Sequence, residues 1–129
     1  MTDQPASRWP CPCCGYQVFS EPPGSYEICP VCGWEDDVSQ LRFAAAGGGA
    51  NELSLAGAQL SFARRGGAND LGRPPEELGY TRDPGWHPLG PESGLIETSE
   101  PGKDYGRTYA PDATAYYYWR PAGDADPTR

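Results

Sequence analysis

Two short units, Cys11-Pro12-Cys13-Cys14-Gly15 and Cys29-Pro30-Val31-Cys32-Gly33, contain every cysteine of this 129-residue chain. Each begins Cys-Pro and ends Cys-Gly, so Cys11 pairs with Cys14 and Cys29 with Cys32 at the same spacing. Proline pre-sets a tight turn, and glycine beyond the second cysteine permits a backbone geometry that a side chain would strain. The two sulfurs of such a turn point at one metal, and two turns face to face make a closed tetrathiolate, the preferred arrangement for structural zinc. Fourteen residues separate Cys14 from Cys29, enough for a short β-hairpin across 16–28 that reverses at Pro22-Pro23-Gly24-Ser25. Soft thiolates also suit iron or an iron–sulfur cluster, and Cys-Pro-x-Cys occurs in redox dithiols. Gly15 and Gly33 stand where a redox motif would continue into a long helix, which weighs against the dithiol. Zn2+ is the expected cofactor, with Cys11, Cys14, Cys29 and Cys32 as its ligands.

Cys13 is left over. It occupies the inner turn position that Val31 fills in the second unit, and it reads as a bystander with its side chain turned from the metal. Exchange with Cys11 or Cys14 as a ligand is the alternative. A reactive thiol is a third reading, opposed by the negative charge of four neighbouring thiolates.

A metal is needed because the chain has little else to fold around. Leu, Ile and Val together number 13, while Gly and Pro number 17 and 15. An ordinary two-layer domain with a large aliphatic core is therefore not expected. The charge balance narrows function further. Eighteen acidic residues face 10 basic ones, for a net charge of -8, and the densest basic spot is only Arg64-Arg65. A nucleic-acid binder needs a basic patch against phosphate, so nucleic acid is not an expected partner for the isolated chain. No stretch approaches the ~20 apolar residues of a membrane span, and Met1 to Pro10 lacks the pattern of a signal peptide. A cytoplasmic location is the expectation, and there closely paired cysteines serve as metal ligands more often than as disulfides.

Helix signals are confined to 38–70. Ser54 can cap a helix over 54–65 that stops at Gly66-Gly67, with Leu55, Ala58 and Phe62 on one face and Ala63 widening it. A shorter helix is expected over 36–45, begun by Glu35-Asp36-Asp37. From 71 to 112 breakers such as Pro74-Pro75 and Pro84-Gly85 predict mainly loop, with apolar islands at Tyr80, Trp86, Leu89 and Leu95-Ile96. The run Tyr116-Tyr117-Tyr118-Trp119 reads as a short strand or a packed aromatic segment.

The residues Cys-Pro-Cys-Cys-Gly-Tyr at 11–16, Pro-Pro-Gly-Ser-Tyr-Glu-Ile-Cys-Pro-Val-Cys at 22–32 and Trp34-Glu35-Asp36-Asp37 resemble the bacterial cysteine-rich CPCC family. The likeness continues through Asn51, Ser54-Leu55, Ala58-Gln59 and Phe62 to Gly66, so that it covers residues 9–70. Both cysteine turns are also similar to the knuckles of the broader zinc-ribbon group. Gly33 stands where a bulkier residue is common in the family, which alters the turn and not the ligands. The resemblance implies a zinc-ribbon-like core and brings no known activity with it.

The expected fold is small α+β: zinc-ribbon-like knuckles and a β-hairpin packed against a short helix over 9–70, wrapped by an irregular Pro/Gly-rich half over 71–129. The expected role is a structural zinc module working through protein contacts, at the acidic 35–37 region or the aromatic 116–119 segment. A subunit of a nucleic-acid-associated complex and a thiol-based redox or metal-responsive protein are the rival readings. No enzyme is expected. His87, the single histidine, reads as a loop residue, and Glu35, Asp36 and Asp37 as helix-starting, solvent-exposed carboxylates instead of catalytic ones.

Overall fold

A computed structural model describes residues 8–67, 71–90 and 97–120. The first cysteine turn is closed by a two-stranded antiparallel sheet, β1 (Trp9–Pro10) against β2 (Gln17–Phe19), in the register Trp9 to Phe19 and Pro10 to Gln17. Inside it the Cys11 amide donates to the Tyr16 carbonyl at 2.9 Å and the Gly15 amide to the Cys11 carbonyl at 2.7 Å. The second turn repeats this pattern: Cys29 donates to Trp34 at 2.8 Å and Gly33 to Cys29 at 2.9 Å. Gly15 and Gly33 take φ values of 84° and 87°, the left-handed region that the sequence reserved for glycine.

The hairpin expected across 16–28 does not form. Each knuckle closes on itself, so the arms leaving it find other partners. Tyr16 bridges to Arg82 and the Gln17 amide donates to the Thr81 carbonyl, while Ile28 bridges to Glu35. The arms meet only where the Ser20 amide and hydroxyl donate to the Glu27 carboxylate at 3.1–3.2 Å. Pro22 and Pro23 offer no amide to a ladder, and Tyr26, at φ 62°, breaks the extended path. Tyr26 and Ile28 are exposed at 58% and 65%, and Glu27 between them is half-buried.

Helix α1 spans Val38–Arg42, shorter than the 36–45 expected. Asp37 caps it, accepting from the Ser39 and Gln40 amides at 2.8 and 3.2 Å. Helix α2 spans Leu55–Arg64, capped by the Ser54 hydroxyl, which accepts from Gly57 at 3.0 Å. It ends at Gly66-Gly67, where the Gly67 amide donates to Phe62 at 3.1 Å. Its buried face is Leu55, Gln59 and Phe62 with Ala58 at the edge, and Ala63, expected to widen that face, is exposed.

Among the described residues beyond 70 there is no α-helix or strand, only 3-10 turns at Pro75–Leu78, Gly106–Thr108 and Ala113–Tyr116. The Tyr116–Trp119 run is therefore not a strand. Its members divide instead: Tyr117 and Trp119 are buried and stacked with centroids 4.8 Å apart, and Tyr116 and Tyr118 are half-buried. Tyr80, Trp86 and Leu89 pack on the core as expected, and Leu95-Ile96 lie outside the described residues. One apolar cluster gathers the knuckle cysteines, Phe19, Val31, Trp34, Leu41, Leu55, Phe62, Tyr117 and Trp119. The molecule is small α+β. No helix among the described residues is long and apolar enough to cross a membrane.

Candidate metal centre

The two knuckles bring Cys11, Cys14, Cys29 and Cys32 together from opposite sides, with all four sulfurs within 4.8 Å of one another. The closest pairs run between knuckles, Cys11 to Cys32 at 3.6 Å and Cys14 to Cys29 at 3.7 Å. Four sulfurs held at about 2.3 Å around a tetrahedral ion would stand about 3.8 Å apart. The spacing fits a metal ion without rearrangement, and it is far longer than the ~2.05 Å of a disulfide. The Val31 amide donates to the Cys29 sulfur at 3.3 Å.

The surroundings bias the Cys11, Cys14 and Cys32 thiols in different directions. Burial, with three neighbouring cysteine sulfurs adding to it, pushes the Cys11 thiol well up. The Cys14 thiol is also raised, by Cys29, Cys32 and burial acting against a lowering contact from Cys11. Cys32 goes the other way, held down by hydrogen bonds from Cys11, Cys13, Cys14 and Cys29. A bound cation would stabilise the thiolate form of these ligands.

The surroundings fix the first knuckle through its carbonyls. Pro12 O accepts from Gln59 Nε2 and from Trp86 Nε1, each at 3.0 Å. Cys14 O accepts from Arg82 Nε at 2.9 Å, and Gly15 O from the Asp83 amide at 2.8 Å. The Arg82 guanidinium lies over the rings of Tyr16 and Trp86, 4.6 and 5.2 Å from their centroids. The second knuckle is fixed by Asn51, which accepts from the Glu35 amide at 2.9 Å and donates to the Glu35 carbonyl at 2.8 Å. Gln40 in turn orients Asn51, accepting from its amide and side chain at 2.9 and 3.0 Å. Gln40, Gln59 and Asp83 were not legible as site residues: a glutamine inside a helix signals nothing until its partner carbonyls are known.

The expected exposure of the acidic stretch needs correction. Asp36 and Asp37 are buried, and only Glu35 is half-exposed. Asp36 accepts from the Ser25 amide and hydroxyl at 3.1 and 2.7 Å, and Asp37 also accepts from the Ala50 amide at 2.9 Å. Burial raises the Asp36 carboxyl against the lowering effect of Ser25. Two of the three carboxylates are therefore occupied inside the molecule and are not available to an acidic contact face. His87 lies in a loop as expected, its Nδ1 at 2.9 Å from Pro88 O and its carbonyl accepting from the Tyr118 hydroxyl.

Cys13 is buried but stands outside the four-sulfur group. It lines an open cleft of about 390 Å³ together with Cys32, Trp34, Ala58, Ser61 and Arg65.

The model of the family described as Cysteine-rich CPCC matches residues 9–77, just over half of the chain. The match runs past the expected limit of 70 to take in Glu76, whose carboxylate accepts from the Tyr16 hydroxyl at 2.7 Å beside the first knuckle. No curated protein matches the chain.

Proposed function

The chain belongs to the cysteine-rich CPCC family, and on that premise we propose that it is a structural zinc module with a zinc-ribbon-like core. Cys11, Cys14, Cys29 and Cys32 hold one zinc in a closed tetrathiolate. The observation that carries this reading is the packing of four sulfurs from two matched turns at nearly tetrahedral spacing. Zinc suits it because the ion has no geometric preference of its own and accepts the tetrahedron the knuckles impose. Bound there, it supplies charge and cross-linking, not chemistry, since four cysteines leave no open position for a water or substrate. The role is then non-catalytic and exercised through protein contacts in the cytoplasm, where thiols stay reduced. The net charge of -8 favours a protein partner over nucleic acid. Elemental analysis of protein purified without added metal is expected to give close to one zinc per chain. Iron in its place would correct the metal, and a metal-free protein with a reversible disulfide would overturn the reading.

A further inference from the structure

The cleft of about 390 Å³ beside the second knuckle is bounded along its length by α2. Ala58, Ser61 and Arg65 line it from one stripe of the helix and its C-cap, at i, i+3 and i+7. Glu52 and Leu53 line it just before the Ser54 cap, so the cleft has one end at the start of α2 and the other at its finish. Ten helical residues at about 1.5 Å each set those ends about 15 Å apart. The second knuckle supplies the other wall through Trp34 and Glu35, and Glu35 is held at the Glu52 end by the bonds of its backbone to Asn51. Charge is therefore divided, with two carboxylates at the start of α2 and a guanidinium at its finish. None of the three makes an ion pair among the described residues, and the Arg65 guanidinium lies only over the Phe62 ring, 5.4 Å from its centroid. Exposed apolar surface adjoins the carboxylate end: Leu53, and Ile28, which projects from the same face as Glu35 because the two oppose each other in an antiparallel bridge.

We propose that this cleft docks an extended segment of a partner protein, basic at one end, acidic at the other, with an apolar residue beside the base. This rests on the reading of protein contacts above and names their surface and chemistry. Extended chain rises about 3.3 Å per residue, so about five residues span the distance between the charged ends. The partner's Lys or Arg meets Glu35 and Glu52, while its stem and apolar neighbour cover Leu53 and Ile28. The partner's Asp or Glu meets Arg65. A segment basic at both ends, or acidic at both, sets like charges together at one end, and that repulsion selects the mixed segment. A second copy of the chain is a poor occupant, because each copy carries a net charge of -8. The acidic stretch thus contributes to a contact surface through Glu35 alone, and Glu52, from a different loop, completes it.

Four end-capped peptides, titrated into the isotope-labelled full chain at low salt and followed by amide chemical shifts, test this. Two are mixed, Lys-Leu-Ala-Ser-Asp and its reverse Asp-Ser-Ala-Leu-Lys, and two carry one sign, Lys-Leu-Ala-Ser-Lys and Asp-Leu-Ala-Ser-Asp. One mixed peptide is expected to move the amides of 51–65 and to bind at least about fivefold more tightly than either single-sign peptide. Glu35→Gln/Glu52→Gln should weaken that peptide about tenfold and Arg65→Gln about threefold. Arg65→Glu should reverse the preference towards Lys-Leu-Ala-Ser-Lys, a change that loss of structure cannot produce. Equal binding of the mixed and all-basic peptides, no response at 51–65, or a preference indifferent to Arg65→Glu would each overturn the proposal. Self-association of the chain that Arg65→Glu abolishes would give the cleft to a second copy and overturn it too. Zinc content of the same samples keeps the two readings apart: a zinc-loaded chain that binds none of the peptides overturns the docking alone, and a chain without zinc overturns the metal reading.

Discussion

The cysteine-bearing half and the half that wraps it use nearly opposite means to fix a backbone rich in glycine and proline. Around residues 9–36 the fastening is local and repeated, with each knuckle closing on itself through the same two amide-to-carbonyl bonds and offering two sulfurs to a shared centre. Beyond residue 70 no described segment repeats, and the chain is held by scattered bonds to distant partners, many of them from polar side chains. Asp83 accepts from Trp119 Nε1 at 2.7 Å and from Arg120 at 3.0 and 3.1 Å, drawing the aromatic run onto the loop that caps Gly15. Arg42 of α1 makes a paired hydrogen bond to Glu97 at 2.8 and 2.9 Å. The rings of Phe43, Tyr105, Tyr109 and Tyr116 surround the Arg42 guanidinium with centroids 4.6–5.6 Å away. Its Nη1 has no hydrogen-bond partner among the described residues, so the aromatic faces replace the solvation that burial removed. The difference teaches that the second half is seated on groups of the first, the carbonyls of Cys14, Gly15 and Pro12 and the Arg42 guanidinium, and is tied to itself where Asp83 meets Trp119 and Arg120.

If so, removing the metal should dissolve both halves at once. Structural zinc contributes about 10 kcal/mol or more of folding free energy in small sites, and the carbonyls of Pro12, Cys14 and Gly15 that anchor the wrapper through Trp86, Arg82 and Asp83 exist in place only while the knuckle does. Chelation should abolish the far-ultraviolet signal and the near-ultraviolet aromatic signal in one transition. Aromatic dichroism surviving after the knuckles unfold would show that the wrapper is an independent unit and break the comparison.

The reverse dependence should be much weaker. Arg42→Ala removes the ion pair and leaves four rings around a void, a loss of about 2–4 kcal/mol at a desolvated cation. It is expected to raise hydrogen exchange across 97–120 strongly while zinc stoichiometry stays at that of the unaltered chain. Arg42→Lys should recover only part, because an ammonium cannot make the paired bond to Glu97. Loss of zinc from Arg42→Ala would mean that the cysteine half leans on the wrapper as much as the wrapper leans on it.

The same asymmetry explains what could be read from the residues. The ligand turns, the glycine after each pair, the Ser54 cap and the Gly66-Gly67 stop are short-range features, settled by neighbours within about one turn of chain. The 16–28 hairpin failed because strand pairing is a choice among partners, and the sequence does not disclose that Gln17 has Thr81 available to it. Asp36 and Asp37 were misplaced for a related reason. A carboxylate is solvated by default, and only the folded chain shows Ser25 and Ala50 delivering amides to them. The likeness read from the residues ended at 70, short of Glu76, whose contact is with Tyr16, sixty residues away.

The two knuckle glycines allow the wrapper's hold on the metal half to be weighed alone. Both have φ near 85°, so replacing either by alanine costs the same left-handed penalty of about 1–2 kcal/mol. They differ in what a side chain would meet. A Cβ on Gly33 finds nothing within 4 Å, while one on Gly15 stands 2.5–2.8 Å from the Trp86 ring. Trp86 cannot shift freely, because its indole nitrogen is bonded to Pro12 O and its backbone amide to Asp83 O. Gly33→Ala should therefore lower stability by only the backbone term, and Gly15→Ala by about 2 kcal/mol more as the ring is forced off its seat. Denaturant titrations of the two zinc-loaded variants give that difference directly, with Trp86→Ala added to Gly15→Ala as the check. In that background the extra cost of Gly15→Ala should vanish, leaving it equal to Gly33→Ala. An extra cost that persists without the ring would place the constraint in the first knuckle itself and remove Trp86 from the account.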